Sequence, residues 1–391
     1  MKKQNPALVF LICYIAYVGI YIARLNLSMA SPALTEMGVI NTAQIGILGS
    51  MFSVIYACGR LLNGFLGDSR SPVFMICTGL ILCGAANLLV GFLPPFVAMV
   101  LLWAANAYAQ SMLWSSILCV VTRIYDARVA KKRTSLMVTS VATGNILGIV
   151  LNTVIISQFG VRFAFIIPGA FALFMSLPVY LFTRSISEES ASYGNHTPFT
   201  ELLSDSGVRK TVLPAVLHGV IKDNVSLWMT VYFVDTFKIN LNESSYFVLF
   251  IPVVGFAGRM MYPFFFKLCK EKQERVSLIF FLVCAACCLP LFIGKPHPIV
   301  SAVCLGLIYA AVSVINTSIL SIFPLDYAKS GNVASVSGIM DFSTYLGAGI
   351  GSITFGFVID NFGYSPMYVI WAAISVVSFV FMLLTRKKKA A

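Results

Sequence analysis

The sequence predicts an all-α integral membrane protein with twelve transmembrane helices in two six-helix halves. Hydrophobic residues make up 59% of the 391 residues and charged residues only 11%, a balance that soluble domains do not have. Apolar runs of roughly 20 residues, the length that crosses a bilayer as a helix, recur along the chain. The few polar residues inside these runs repeat after about half of the chain, which indicates two related halves.

The apolar runs define the predicted spans and the boundaries between the halves. Spans are expected near residues 7–31, 44–67, 72–92, 95–121, 134–158, 163–183, 211–235, 244–267, 276–294, 298–322, 331–358 and 364–385. A serine-rich polar segment, residues 184–210, separates the sixth span from the seventh. We therefore predict a six-helix half over residues 1–184, a cytoplasmic linker over 185–210 and a second six-helix half over 211–391.

The net charge of +12 is large enough to suggest a nucleic-acid partner, but its distribution indicates a membrane instead. Lys and Arg concentrate at the termini and in alternate loops, with clusters in residues 123–133, 267–275 and 386–389. Cytoplasmic loops of membrane proteins carry such an excess of basic residues. We expect a multi-pass protein of the inner (plasma) membrane with both termini in the cytoplasm, in contact with lipid and not with nucleic acid.

Cationic residues inside the predicted spans repeat at a nearly constant separation. Arg24 in span 1 and Lys222 in span 7 are 198 residues apart, and an asparagine follows each of them two positions later. Arg60 in span 2 and Arg259 in span 8 are 199 residues apart, and each follows a glycine. These offsets predict that the halves are structural repeats and that a substrate binds between them near the bilayer midplane.

The four cations need an explanation, because a charged side chain at the centre of a bilayer costs at least ~2.5–3.5 kcal/mol. One explanation is an ion pair with an acid inside the membrane, and the predicted spans supply Asp223 and Asp341 for this purpose. Two acids leave two of the four positive charges uncompensated, and a dianion or two monoanions would neutralise them. The default interpretation is an anion site. Arginine suits phosphate there, because its planar fork donates two parallel hydrogen bonds.

Polar side chains at helical spacing extend this predicted site. Tyr17, Tyr21 and Arg24 lie on one stripe of span 1. The predicted substrate-binding residues are Arg24, Arg60, Lys222, Arg259, Tyr17, Tyr21, Asn145, His218, Asn316 and Tyr345. His218 lies one turn before Lys222, and two roles stay open for it: packing as a neutral hydrogen-bonding group, or contact with substrate or a proton.

The acids of the predicted spans are candidates for coupling. Asp223 directly follows Lys222 and is expected to face a different way, since adjacent helix residues do not share a face. Its role is either to pair with a cation or to carry a proton, and the same choice applies to Asp341.

The remaining special residue types are predicted to be structural. Cys284, Cys287 and Cys288 lie in an apolar helix without flanking polar ligands, so we interpret them as small apolar side chains. The three histidines have no metal-ligand spacing, and no nucleophile–base constellation appears. We expect neither an enzyme nor a bound metal or cofactor.

Glycines in spans 5 and 11 are predicted to allow close helix packing rather than to cradle a ligand. They are Gly144, Gly148, Gly347, Gly349 and Gly351. Gly148 and Gly347 are 199 residues apart and so follow the same repeat as the cations.

Residues 64–72, Gly-Phe-Leu-Gly-Asp-Ser-Arg-Ser-Pro, resemble the signature that the major facilitator superfamily carries between spans 2 and 3. Within that superfamily, the chain resembles the organophosphate:phosphate antiporters, which include transporters of glycerol 3-phosphate and hexose 6-phosphate. Further matching pieces are residues 21–28 in span 1 and residues 337–347 in span 11, followed by residues 360–363. The resemblance extends over nearly the whole length.

The resemblance implies roles for individual residues. Arg24 matches the family's phosphate-binding arginine of span 1, and Arg60 falls where the family has a basic residue in span 2. Lys222 occupies the position of a second phosphate-binding arginine, which is a departure. Gly144 stands where the glycerol-3-phosphate members have a histidine, a second departure. The pair Arg60 and Arg259 is also similar to the two arginines of nitrate transporters.

The superfamily fold implies a mechanism in which two halves rock about a central anion site. In this mechanism Asp68, with Arg70 in the same loop, helps to close the cytoplasmic side. The expected partners of Asp68 are Arg123 at the end of span 4 and the amide groups at the start of span 11 near Gly331.

The leading functional prediction is an alternating-access secondary transporter of a small organic phosphate, by antiport with phosphate or by proton-coupled uptake. One alternative is a proton-coupled transporter of a sulfonate, carboxylate or other small anion. Another is a membrane sensor that binds hexose phosphate without transporting it. The expected partners are the anionic substrate, phosphate or a proton as the coupling species, and the lipid bilayer around a monomer.

Overall fold

A computed structural model describes residues 5–188, 197–238, 241–293 and 297–385. Within these ranges the regular structure is helical, which confirms the predicted all-α class. The basic cluster at 386–389 and the middle of the predicted linker lie outside the described residues.

Helices connected by short turns make up the first part of the chain. They are α1 (Pro6–Glu36), α2 (Thr42–Ser69), α3 (Pro72–Gly91), α4 (Phe96–Ser111), α5 (Leu113–Ile124), α6 (Ala127–Met137), α7 (Thr139–Phe159) and α8 (Phe163–Glu188). Predicted span 4 is divided between α4 and α5 by a break at Met112, and predicted span 5 begins earlier than expected, with α6.

The second part of the chain continues this pattern. Its helices are α9 (Phe199–Ser204), α10 (Ser206–Phe237), α11 (Leu241–Leu268), α12 (Gln273–Ile293), α13 (Pro298–Asn316), α14 (Val333–Phe362) and α15 (Ser365–Thr385). Between α13 and α14 the chain forms a π-helical segment, Thr317–Ile322, and a 3₁₀ segment, Phe323–Ser330. The end of the predicted linker is helical, because the carboxylate of Asp205 accepts from the backbone N–H groups of Gly207 and Val208 at 2.8 and 3.0 Å and so caps α10.

Local sequence signals explain where several helices begin. Asn41 and Gln44 form a capping box at the start of α2, with each side chain bonded to the other's backbone N–H at 2.9 Å. Asp126 caps α6 by accepting from the N–H groups of Arg128 and Val129. Pro72 opens α3 at a position where its missing N–H is not needed.

Ten segments of the described chain are long and apolar enough to cross a membrane. They correspond to predicted spans 1–6 and 9–12. Predicted spans 7 and 8 are the helices α10 and α11, of 32 and 28 residues, and α10 carries Lys222 and Asp223 in its middle. Large apolar side chains such as Ile353 and Phe357 are exposed on the helix surfaces, as expected where hydrocarbon replaces water. The protein is therefore a multi-pass membrane protein.

The described residues form two compact units. We call Met1–His196 with Pro324–Ile339 the N-terminal unit, and Thr197–Phe323 with Met340–Ala391 the C-terminal unit. This division assigns Pro324–Ile339 to the N-terminal unit, whereas the sequence boundaries placed it in the second half. The predicted halves, 1–184 and 211–391 with a linker at 185–210, stay a prediction.

Each unit has its own apolar core. In the N-terminal unit, Leu34 of α1, Trp103 of α4 and Phe165 of α8 belong to one buried cluster. In the C-terminal unit, a buried cluster joins α10, α12, α13 and α15 around Trp371, and it includes Cys284 and Cys288. Both cysteines are fully buried in this cluster, as expected for small apolar side chains.

Glycines bring helices into backbone contact within each unit, as predicted. A Cβ added at Gly144 would lie 2.9 Å from the carbonyl oxygen of Val18, so α7 touches α1 there. A Cβ added at Gly347 would lie 2.8 Å from the carbonyl carbon of Val216, so α14 touches α10. Gly349 has nothing within 4 Å of an added Cβ and takes no part in this packing.

Candidate functional site

Arg24 lies on α1 among aromatic faces of the N-terminal unit. Its guanidinium carbon is 4.0 Å from the ring centroid of Tyr56, 4.9 Å from that of Phe52 and 5.3 Å from that of Tyr21. Aromatic faces attract a cation without neutralising it. These aromatic contacts therefore leave the guanidinium charged, as a binding site for an oxyanion requires.

Arg60 shares this aromatic surrounding. It lies on α2 one turn after Tyr56, is 1% exposed, and its guanidinium carbon is 6.0 Å from the Tyr56 ring centroid. Arg24 and Arg60 both interact electrostatically with Tyr56. The structure therefore brings two of the predicted arginines together around one phenol, and it buries one of them almost completely.

Tyr17 completes the α1 stripe, and a tryptophan of α5 packs on it. The Tyr17 ring is 5.4 Å from that of Tyr21 in an edge contact and 5.0 Å from that of Trp114. Trp114 lies two residues after the break at Met112, and helix irregularities of this kind recur at functional sites. The predicted site contains neither Trp114 nor Phe52. Tyr56 is predicted to share a helical stripe with Arg60, and the position of Phe52 one turn before Tyr56 is a signal that could have found it.

A buried amide network lies beside Arg24 and was also missed. Asn26, two residues after Arg24, donates to Asn87 Oδ1 at 2.7 Å, and Asn87 donates to Asn106 Oδ1 at 3.2 Å. Gln110 donates to the same Asn106 oxygen at 3.1 Å. The four amides are at most 1% exposed. They tie α1 to α3 and α4 and so fix the position of the helix that carries Arg24.

The predicted contribution of Asn145 stays a prediction. Asn145 is half-buried on α7. It directly follows Gly144, which packs closely against Tyr21 of α1. A Cβ added at Gly144 would lie only 2.5 Å from the Cβ of Tyr21. This places Asn145 near the α1 stripe without a hydrogen bond that would define its role.

Lys222 of the C-terminal unit is paired with its neighbour in the chain. Its Nζ lies 3.0 Å from Asp223 Oδ1, and 5.5 Å from the ring centroid of Tyr345 on α14. The expectation that Asp223 faces away from Lys222 is therefore wrong. Adjacent Cα–Cβ bonds do diverge on a helix, but the four-carbon lysine stem is long enough to bring the ammonium back to the carboxylate.

His218 has the geometry of the packing alternative. It is fully buried, and its Nε2 lies 2.9 Å from the carbonyl oxygen of Val312 on α13. A carbonyl can only accept, so Nε2 carries the hydrogen in this contact. The ring joins α10 to α13 and presents no surface to a ligand in this structure.

The other predicted residues of the C-terminal unit lie on α11, α13 and α14. Arg259 is half-buried, and Asn316 is the last residue of α13, immediately before the π-helical segment. Asp341 is buried one turn before Tyr345 on α14. A π-helical segment in a membrane helix often marks a functional position. No contact among the described residues connects Arg259 with Asn316.

Asp68 meets the start of α14, where its predicted partner lies. Its Oδ1 accepts from the N–H of Ala334 at 2.9 Å, and its Oδ2 accepts from the N–H of Ser335 at 2.7 Å. These N–H groups belong to the first turn of a helix, which lacks internal partners and attracts negative charge. Cys119 of α5 lies 3.9 Å from Asp68 Oδ1, and Arg123 follows Cys119 by one turn.

Glycines make this contact of α2 with α14 close. A Cβ added at Gly338 would lie 2.5 Å from the carbonyl oxygen of Arg60, and one at Gly64 would lie 2.7 Å from that of Ala334. An ion pair between Lys131 of α6 and Asp326 adds a second link to the same part of the unit. Arg70 is exposed at the end of α2, and its predicted gating role stays a prediction.

The family model of the Major Facilitator Superfamily matches residues 13–335 of the chain. The chain belongs to this superfamily, and the predicted fold is confirmed. Solved structures agree with this fold. The transporter FucP in the outward conformation has a TM-score of 0.75 at 17% identity, with 97% of this chain and 99% of that chain covered. The human organic anion transporter MFSD10 has a TM-score of 0.74 at 14% identity, with 97% and 100% covered.

Sequence relatives point to one branch of the superfamily. A "Probable hexose phosphate transport protein" of Chlamydia muridarum is 23% identical over 98% of this chain and 92% of its own length. The "Glycerol-3-phosphate transporter" of Bacillus subtilis is 23% identical over 98% and 93%. The "Phosphoglycerate transporter protein" of Salmonella typhimurium is 22% identical over 92% and 85%. These relatives are members of the organophosphate:phosphate antiporter branch, and the predicted resemblance to this branch is confirmed.

Proposed function

We propose that the protein is an alternating-access secondary transporter that carries a small organic phosphate across the inner (plasma) membrane. The observation that carries the proposal is the placement of Arg24 and Arg60 around Tyr56 inside membrane-spanning helices. Two guanidinium groups held within one aromatic surrounding suit a ligand with two negative charges. A phosphate monoester is close to dianionic at neutral pH, since its second pKa is about 6.

Arginine chemistry favours phosphate over the alternatives. A guanidinium fork can donate two parallel hydrogen bonds to two phosphate oxygens, and phosphate has three unesterified oxygens to offer. A carboxylate or sulfonate group carries a single charge and so suits two neighbouring guanidinium groups less well than a phosphate dianion does. The names of the relatives, which are hexose phosphate, glycerol-3-phosphate and phosphoglycerate transporters, support the same choice.

The remaining predicted site residues are assigned by the same proposal. Tyr17, Tyr21 and Asn145 accompany the arginines in the N-terminal unit, and Lys222, Arg259, Asn316 and Tyr345 are the proposed anion-binding residues of the C-terminal unit. His218 is removed from the proposed contact set, because its ring is fully buried and bonded to Val312. Inorganic phosphate as the exchanged ion and a proton as the coupling ion are both compatible with these residues.

Asp68 is proposed to act in gating rather than in substrate binding. Its carboxylate holds two N–H groups of the first turn of α14 against α2. Breaking these two bonds would free the start of α14 to move, with Arg123 and Arg70 as nearby cations that could receive the carboxylate. The basic loop clusters support an orientation in which this gate and both termini face the cytoplasm.

The experiment is counterflow in proteoliposomes made with the full-length protein. Vesicles preloaded with inorganic phosphate are exposed to labelled glycerol 3-phosphate, hexose 6-phosphate, a phosphorylated hydroxy acid, a sulfonate and an unphosphorylated carboxylate. We expect uptake of at least one phosphate ester, and weak or no uptake of the last two compounds. Uptake of the sulfonate or carboxylate alone would contradict the proposal.

A sensor is the second function that the experiment separates. Two proteins named "Membrane sensor protein UhpC", from Salmonella typhimurium and Escherichia coli, are 30% and 29% identical but cover only 25% and 28% of this chain. A sensor would bind a phosphate ester in the detergent-solubilised state and show no counterflow. Binding without transport would therefore replace the transporter with this second function.

A further inference from the structure

The ion pair between Lys222 and Asp223 differs from a buried structural salt bridge. The two side chains are neighbours on one helix, their charged atoms are 3.0 Å apart, and the lysine and aspartate side chains are 19% and 41% exposed. A carboxylate in a membrane helix with this exposure is expected to face a water-filled cavity rather than lipid. A pair of this kind is held by a modest Coulomb attraction and opens easily when a stronger partner arrives.

A phosphate at Lys222 would be such a partner. Under the function proposed above, the ammonium donates to a phosphate oxygen instead of to Asp223. The carboxylate is then left without its counter-ion and stands beside a dianion, at a distance where like charges repel strongly inside a protein. The protein can relieve this repulsion by binding a proton on the carboxylate.

We propose that Asp223 is the proton-coupling residue of the transporter and that substrate displaces it from Lys222. The step begins with the carboxylate of Asp223 bonded to the ammonium of Lys222, a phosphate dianion and one proton from water. It ends with the ammonium bonded to a phosphate oxygen and a neutral carboxylic acid at position 223. One N–H···O bond is exchanged for another, and one proton moves from solvent to an oxygen of Asp223.

The surroundings of the pair support this assignment. His218, one turn earlier on α10, interacts electrostatically with both members of the pair, but its ring is buried against Val312. Charged or titratable side chains on the helices next to α10 in the C-terminal unit include Arg259, Tyr262 and Lys267 on α11, Cys304 and Tyr309 on α13, Asp341, Tyr345 and Asp360 on α14, and Tyr368 on α15. Asp223 contacts Lys222, and its side chain is 41% exposed.

The proposal rests on phosphate binding by Lys222, so the test measures binding and protons together. Purified full-length protein is titrated with glycerol 3-phosphate at about pH 8 in buffers that differ in ionisation enthalpy. At that pH the ester is already dianionic, since its second pKa is about 6, and any linked proton comes to the protein. The dependence of the binding heat on the buffer gives the number of protons taken up for each bound phosphate.

We expect measurable proton uptake with phosphate binding in the parent and none in Asp223→Asn. Asp223→Glu keeps a carboxylate near Lys222 and should restore the uptake. The matched control is Asp235→Asn on the same helix, about 18 Å further along its axis. Asp235 accepts from the hydroxyl of Tyr364 at 2.7 Å and faces a different set of side chains, so this variant should behave as the parent does.

Two results would overturn the proposal, and they are distinguishable from each other. Phosphate binding without proton uptake in the parent, or with equal uptake in Asp223→Asn, would remove the coupling role and leave the proposed function intact. The absence of binding for every phosphate tested would remove both. Transport gives an independent readout, because Asp223→Asn should lose uptake driven by a pH gradient while it retains phosphate counterflow.

Discussion

The two units carry cations at equivalent positions of a sequence repeat, yet they surround them differently. In the N-terminal unit, Arg24 and Arg60 share the ring of Tyr56. In the C-terminal unit, the residue 198 positions after Arg24 is Lys222, and it is paired with Asp223. An aromatic ring attracts a cation without carrying a formal counter-charge, whereas the carboxylate of Asp223 is a counter-ion that an anion can replace. The position of the cation is therefore the same in both halves of the repeat, but the groups around the cation differ.

The helix crossings, in contrast to the surroundings of the cations, are alike in the two units. Gly148 and Gly347 are 199 residues apart, and each lies where one helix crosses another of the same unit. The helix crossings are thus retained in both units, while the side chains at the equivalent cations have diverged. Under the proposed function, the N-terminal unit would hold the anion with cations among aromatic rings, and the C-terminal unit with a cation that exchanges one counter-ion for another.

The largest expected effect comes from removing a cation of the N-terminal unit. Arg24→Ala and Arg60→Ala should each weaken binding of a phosphate ester by about 30-fold or more. Truncating one partner of a desolvated charge pair costs about 2–5 kcal/mol, and 1.4 kcal/mol is a factor of ten. The measurement is the Kd of the purified protein for the ester. Lys222→Met should lose less, because its ammonium already has a counter-ion.

The control for this series is Arg162→Ala, which removes an exposed arginine before α8 and should leave the Kd unchanged. If Arg24→Ala binds as tightly as the parent, the proposed anion site is wrong. If Lys222→Met is as damaging as Arg24→Ala, the contrast between the units fails even though the site survives.

The next prediction sharpens the comparison of the helix crossings. In Gly347→Ala the new Cβ would meet the backbone of Val216, which cannot move easily, and in Gly148→Ala it would meet the end of the Leu25 side chain at 3.0 Å. Overpacking of this kind costs about 1–3 kcal/mol, so Gly347→Ala should lower the apparent Tm in detergent clearly more than Gly148→Ala does.

Gly349→Ala is the matched control for that measurement. It lies on the same helix and has open space around an added Cβ, and alanine is the better helix former. Its apparent Tm should equal or exceed that of the parent. A loss of stability in Gly349→Ala equal to that in Gly347→Ala would show that the backbone contact is not the cause.

A smaller effect is expected at the gate of the N-terminal unit, which has no acidic counterpart in the repeat. At an offset of 199 from Asp68 the second half has Lys267. Asp68→Asn keeps one acceptor oxygen for the two N–H groups of α14 and loses the negative charge at the helix start. The loss of about 1–2 kcal/mol should slow phosphate exchange roughly tenfold and change the Kd much less. Equal exchange rates in Asp68→Asn and the parent would remove the gating role.

The fold was largely readable from the sequence, because its signals are local. Span length, hydropathy and the repeat offsets require only counting along the chain, and the glycines at 144, 148 and 347 were correctly interpreted as packing positions. The contact of Asp68 with the start of α14 was expected from the resemblance to the superfamily loop signature. A short motif with a known structural context can therefore predict a contact between residues that are far apart in sequence.

The candidate site was readable only in part, because contacts across helices depend on rotations that a periodic pattern does not fix. Phe52 and Trp114 were missed, since an apolar helix offers many aromatic residues and only packing selects the ones near Arg24. The amide network from Asn26 to Gln110 was missed for the same reason. The prediction that Asp223 faces away from Lys222 is wrong, because the direction of Cβ does not limit where the long lysine side chain places its ammonium.

The smallest expected effect tests whether the charge at position 222 matters more than its shape. Lys222→Arg restores the residue that the resembling family has at this position, and it keeps the positive charge beside Asp223. A guanidinium can bond the carboxylate with one edge and still offer N–H groups to a phosphate oxygen. One additional hydrogen bond is worth about 0.5–1 kcal/mol, so the Kd for glycerol 3-phosphate should fall by roughly two- to fivefold. Because the arginine need not release Asp223 completely, the proton uptake measured at about pH 8 should fall together with the Kd.

A tighter variant with unchanged proton uptake would indicate that phosphate still displaces Asp223 fully. A weaker variant would show that the compact ammonium, and not only its charge, is what the C-terminal unit requires.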